Sequence, residues 1–86
     1  MNINELIEIV KSKIEAEIVM QHFKIEDKSF LHKNHKGNQE GMFHLKLIIK
    51  SEELKRLSKI ESTKKIYNIL DHELKEHIHS IQILLS

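Results

Sequence analysis

The sequence predicts an α+β domain of two layers, a three-stranded sheet covered on one face by helices. Three observations predict it: an apolar stripe at helical spacing near the start, two alternating stretches separated by a polar loop, and a second helical stripe followed by a closing alternation. A sheet this small needs helical cover to make a core.

Ile3, Leu6, Ile7, Val10, Ile14 and Ile18 recur at three-and-four spacing, which predicts an amphipathic helix over 3 to about 18. Asn2 with Glu5 resembles a capping pair at its start. Phe23 and Ile25 alternate with Lys24 and Glu26, a short strand with one face inward. From Asp27 to Gly41 the periodicity vanishes and Lys, Asn and His dominate around both glycines, the composition of an exposed loop. Phe43, Leu45, Leu47 and Ile49 then alternate with His44, Lys46, Ile48 and Lys50, so a second strand is expected over about 42–50.

Ser51 stands before Glu52, Glu53 and Leu54 as the cap of a short helical turn reaching about Arg56 or Leu57. A second cap is expected at Ser62, with Ile66, Ile69, Leu70 and Leu74 marking one face of a helix over about 63–76. The last stretch alternates again, with His79, Ile81, Ile83 and Leu85 expected on one face. The expected order is therefore αββαβ, with a short extra helical turn before the last long helix.

Length and composition bound the function. Eighty-six residues make one domain, 1–86, that buries only about 60 to 65% of the unfolded chain's surface. Cysteine is absent, which excludes disulfides, thiolate zinc sites and a cysteine nucleophile within the chain. No apolar run approaches the roughly 20 residues of a membrane helix, and residues 1–8 lack the layout of a signal peptide, so no membrane association and a cytoplasmic location are expected. Lys and Arg number 14 against 13 Asp and Glu, a net charge of +1 that does not by itself predict nucleic-acid binding. Seven histidines, at 22, 32, 35, 44, 72, 77 and 79, are the unusual count.

Four stretches together resemble the BolA family over about Lys13 to Leu85. Phe23-Lys24-Ile25-Glu26-Asp27-Lys28-Ser29 is similar to the family's strand ending in an acidic residue and a serine. Ser29-Phe30-Leu31-His32-Lys33-Asn34-His35 is similar to its S-x-x-H-x-G-H loop, with Asn34 where glycine usually stands. His44-Leu45-Lys46-Leu47-Ile48-Ile49-Lys50-Ser51 resembles the H-F-x-V-x-I-V-S strand without a gap. Ile66-Tyr67-Asn68-Ile69-Leu70, Glu73-Leu74 and Ile78-His79-Ser80-Ile81-Gln82-Ile83 resemble V-Y-x-x-L, E-x and I-H-A-L-x-I. Ser62-Thr63-Lys64 replaces the family's Arg-His-Arg, and Leu54-Lys55-Arg56 its aromatic-x-glycine.

The resemblance implies a KH-like topology, association with a monothiol glutaredoxin, and a part in iron–sulfur cluster handling. His79 matches the family's C-terminal histidine and resembles a ligand to a [2Fe–2S] cluster shared with the glutaredoxin. The loop of the family offers a second ligand, matched best by His32, with His35 as competitor. The chemistry is sound, since imidazole nitrogen can stand in for thiolate on iron, and a chain without cysteine leaves the thiolates to its partner. Alone, the chain is expected as a monomer or weak dimer.

The other histidines are ordinary by spacing. His72 and His77 lie five residues apart, off the i, i+4 geometry of a helical ligand pair, and His77 and His79 form only a weak H-x-H pattern. His44 faces opposite Leu45, as a sheet-surface or supporting residue. Asp27, Ser29 and His32 contain the residue types of a triad, but so short a stretch does not establish its geometry, and a free-standing enzyme is not expected. Some family members are described as transcriptional regulators, which gives an alternative: DNA or RNA binding through Lys55, Arg56, Lys59, Lys64 and Lys65, a cluster in which no interleaved aromatic is visible.

Overall fold

The computed structural model describes residues 1–29 and 42–86. The elements run α1 (Ile3–Glu17), β1 (His22–Asp27), β2 (Phe43–Lys50), α2 (Glu52–Lys55), α3 (Lys59–Ile69), α4 (Asp71–Glu76) and β3 (Ile78–Leu85). The sheet order is β1-β2-β3, with β1 antiparallel to β2 and β2 parallel to β3. A parallel pair cannot be closed by a tight hairpin, and the three helices between β2 and β3 supply the crossover.

The first helix starts as its sequence predicts: the Glu5 backbone N–H donates to Asn2 Oδ1 at 2.9 Å, and Asn2 Nδ2 donates to Glu5 Oε1. Its stripe of Leu6, Val10, Ile14 and Ile18 is buried against Leu45, Leu47 and Ile49 of β2, with Leu54, Ile66, Leu70 and Ile78 completing the core. Ser51 caps α2, its Oγ accepting from the Leu54 N–H at 3.2 Å and donating to the Val19 carbonyl at 2.7 Å. One serine thus ties the end of the central strand to the segment after α1.

Two expectations are corrected between α2 and β3. The cap of the next helix is Ser58, not Ser62: Ser58 and Glu61 form a reciprocal capping box, and α3 begins at Lys59. Ser62 lies inside the helix, buried, and its Oγ donates to the Leu54 carbonyl at 3.0 Å, which orients α2 against α3. Ser58 has Glu61 at the third position, which completes the capping box, whereas Ser62 has Lys65 there and turns instead to a buried acceptor. The single helix expected over 63–76 is two, because the chain turns at Leu70, with φ −99° and ψ 18°, where α3 ends and α4 begins.

α4 is held to α1 by an ion pair. Lys13 Nζ lies 2.7 Å from Glu73 Oε2, and Glu73 is buried with its Oε1 unpartnered. A buried carboxylate depends on such a counter-charge.

Candidate functional site at the start of the last strand

The site is built by a break in alternation. From Leu45↔Ile81 through Leu47↔Ile83 to Ile49↔Leu85, β2 and β3 pair in even register, and all six side chains share the helix-covered face. At the beginning of the pair the register shifts: Phe43 pairs with Ile78 and His44 with Ser80, so His79 is the extra residue of a bulge. A bulge re-aims the side chain it inserts. His79 is therefore exposed, which corrects the expectation from simple alternation that it joins the face of Ile81, Ile83 and Leu85. Ile78, its neighbour, is buried in the core and anchors the strand at that point.

The His79 ring rests beside that of His44, with centroids 5.0 Å apart and planes inclined at 51°. His44 is only 4% exposed, which corrects the sheet-surface part of its expected role and upholds the supporting part. Its Nδ1 lies 2.6 Å from Ser80 Oγ, so its ring is fixed by the residue that follows His79. Its backbone is held as firmly: the His44 N–H donates to Ser29 Oγ at 3.1 Å, and its carbonyl accepts from the Lys28 N–H at 2.7 Å. The Ser29 N–H in turn donates to Asp27 Oδ1 at 2.9 Å. Asp27 and Ser29, two of the three triad residue types, are thus engaged in backbone hydrogen bonds that join the end of β1 to the start of β2.

Charge around the site is mixed. Glu26 sits near Lys24 and Lys28, at 3.5 and 3.6 Å. Partial desolvation raises its pKa, but the charges of Lys28 and then Lys24 outweigh it and hold the carboxyl below its ordinary value. Lys28, Lys46, Ser80 and Gln82 line a shallow hollow on the His44 side of the sheet.

His32 and His35 lie outside the described residues. Among the described residues no group of three or more His, Asp or Glu could hold a metal ion. His72 and His77 come closer than their spacing predicts, with ring centroids 6.1 Å apart edge-to-face, because α4 ends at Glu76 and His77 leaves helical geometry.

The basic residues occupy a different surface. Lys55 ends α2, Arg56 follows it, and Lys59, Lys64 and Lys65 lie on α3, with Lys65 3.4 Å from Glu53. No aromatic is interleaved within 55–65, but Tyr67, just beyond it and 42% exposed, lines one hollow with Lys59, Ile60 and Lys64. It lies three residues beyond Lys64, which helical spacing brings onto the same face.

A three-stranded mixed sheet under helices, with an exposed histidine at a bulge on its rim, defines a small α+β domain. The BolA-like protein family model matches residues 14–86, and the chain belongs to that family. It is 31% identical over 78 residues to the DNA-binding transcriptional regulator BolA of Haemophilus influenzae, covering 91% of this chain and 73% of that protein. Among solved structures it is similar to the BolA domain of SufE1 from Arabidopsis thaliana, with a TM-score of 0.78 and 26% identity over 100% of this chain and 93% of that one. BolA1 from Arabidopsis thaliana shares the fold, with a TM-score of 0.78 at 23% identity over 92% of this chain and 87% of that one. Among the described residues no helix is long and apolar enough to cross a membrane.

Proposed function

We propose that this BolA-family domain is an adaptor that docks a monothiol glutaredoxin and shares, or helps to transfer, its [2Fe–2S] cluster through the imidazole of His79. The observation that carries the reading is the exposed His79 at the bulge, backed by a buried His44 that Ser80 holds in place. A ligand offered to another protein's cluster needs an accessible nitrogen on a rigid base, and a bulge at the head of an anchored strand provides both. The donor set fits shared cargo: the chain has no cysteine, so the partner brings the thiolates and this chain adds nitrogen. His32, with His35 as the less favoured choice, is the second ligand in this reading. The role is binding and positioning, with no turnover by the chain itself, and its place is the cytoplasm.

The test is a visible circular dichroism titration of a cluster-loaded monothiol glutaredoxin with this protein. The expected result is a saturating change at stoichiometric ratio that His79→Ala removes. A full change with His79→Ala would overturn the ligand assignment.

A second reading rests on a separate observation, the hollow that joins Tyr67 to Lys59 and Lys64. A base can stack on an exposed tyrosine while lysines meet phosphates, and the Haemophilus influenzae relative is named as DNA-binding. In that reading the stretch 55–65 binds nucleic acid and the chain acts as a transcriptional regulator. Binding to a duplex or single strand would weaken steeply with salt and fall on Lys64→Ala and Tyr67→Ala. Insensitivity to both substitutions would remove it.

A further inference from the structure

The two edges of the sheet differ in chemistry. β1, at one edge, carries Lys24, Glu26 and Asp27, with ion pairs from Glu26 to Lys24 and Lys28. β3, at the other, is eight residues, Ile-His-Ser-Ile-Gln-Ile-Leu-Leu, with no charge and no proline. Charged side chains and proline are the usual means by which an edge strand avoids pairing with another chain. After its opening bulge, β3 has none of them.

The register identifies which backbone groups β3 leaves open. Ser86 donates its N–H to the Ile49 carbonyl at 2.9 Å and accepts from the Ser51 N–H at 3.4 Å, so both its polar groups face β2. In a parallel ladder such residues alternate, which directs Leu84 and Gln82 toward β2 as well. The N–H and C=O of Ile81, Ile83 and Leu85 therefore point away from it, and among the described residues β3 pairs with β2 alone. Their side chains are only half-buried, whereas their β2 partners Leu45, Leu47 and Ile49 are buried. Leu84, on the other face, is 49% exposed.

We propose that this edge pairs with the β3 edge of a second copy of the chain, antiparallel and about a twofold axis at Ile83. That register is self-complementary. It sets Ile83 against Ile83 of the copy, and Ile81 against Leu85 in both directions, so the outward N–H and C=O groups of all three residues meet one another. It joins the half-buried Ile81, Ile83 and Leu85 of the two chains into one apolar row, and it places Gln82 opposite Leu84 on the other face. No like charges face each other, which an isologous pairing of a charged strand has to avoid. The two sheets become one of six strands. The His79 side chains fall at its opposite ends, roughly 27 Å apart at the rise of an extended chain, so the pairing leaves both exposed. One strand per chain is a small interface, and the dimer is weak and concentration-dependent.

Two measurements on the isolated protein test the register. Sedimentation over a rising concentration series should move from the mass of one chain, 10.2 kDa, toward twice that. Gln82→Lys with Leu84→Lys sets lysine opposite lysine and should hold the protein at one chain, whereas Gln82→Glu with Leu84→Lys sets opposite charges together and should restore the shift. Both positions point away from the core, so folding is undisturbed, which far-ultraviolet circular dichroism verifies. Amide exchange should slow with concentration at Ile81, Ile83 and Leu85 and stay unchanged at Gln82 and Leu84. A wild type that remains one chain throughout, or a dimer that the double-lysine variant leaves intact, overturns the proposal.

Discussion

Leu45, Leu47 and Ile49 on β2 face Ile81, Ile83 and Leu85 on β3 in strict alternation, whereas at the strands' start the pairing slips and leaves His79 as an extra residue beside His44. The same two strands thus make a buried centre, where every side chain is placed by periodicity, and a rim, where one side chain is placed by an exception to it. The centre holds the fold and tolerates no loss of volume. At the rim the exposed His79 side chain is expected to add little to stability, while its base is kept firm by Ile78, Ser80 and the hydrogen bond that the His44 N–H donates to Ser29.

The largest expected effect breaks the centre. Leu47, fully buried on the central strand, should lose about 2–5 kcal/mol of stability as Leu47→Ala, read by urea unfolding. His79→Ala should stay within about 0.5 kcal/mol of wild type, as an exposed residue does. Equal losses from the two would erase the distinction between centre and rim.

Next comes the helical layer that covers the centre. Lys13→Ala leaves the Glu73 carboxylate buried without its counter-charge, and a loss of about 1–3 kcal/mol is expected. Because Lys13 is itself 42% exposed, water screens the pair and the lower half of that range is the expectation. Glu73→Gln combined with Lys13→Ala should recover part of the loss, and a combined loss equal to the sum of the two single ones would show that the residues are not coupled.

A smaller effect lies at the α3 cap. Ser58→Ala should cost about 1 kcal/mol by removing the acceptor for the Glu61 N–H. The hydrogen bonds from the Ser58 backbone and then its side chain hold the Glu61 carboxyl below its ordinary value. A lowered carboxylate pKa adds stability that is present above the unfolded value, about 4.3 for glutamate, and is lost as pH falls through the folded one. Ser58→Ala keeps the backbone donor, the larger cause, and loses only the side-chain one, so the gap to wild type should narrow slightly below about pH 4.3; a gap that widens in acid would contradict the capping account.

Most of the fold was legible because the core is written in two periods. The stripe from Leu6 to Ile18 and the alternation from Phe43 to Ile49 each name their buried face, and both faces meet as expected. The cap of α3 was legible but misassigned: Ser58 has Glu61 three residues on, the spacing of a capping box, whereas Ser62 has Lys65 there. What was not legible depends on contacts distant in sequence, such as the buried Leu54 carbonyl that engages Ser62. The turn at Leu70 carries no glycine or proline to mark it. At the site, His79 was found through a motif, but its exposure came from a bulge that alternation does not anticipate, and His44 became its neighbour only through parallel pairing 36 residues away from Ser80.

The central claim is that His79 gives its ring nitrogen to a cluster held by a partner. The most direct measurement is hyperfine spectroscopy of the reduced cluster in the complex of a glutaredoxin with this protein, made with ¹⁵N-labelled histidine in this chain alone. A coupling of ligand strength from ¹⁵N, lost on His79→Ala while association persists, is the predicted result. No such coupling in the wild-type complex, or one unchanged by His79→Ala, would contradict it.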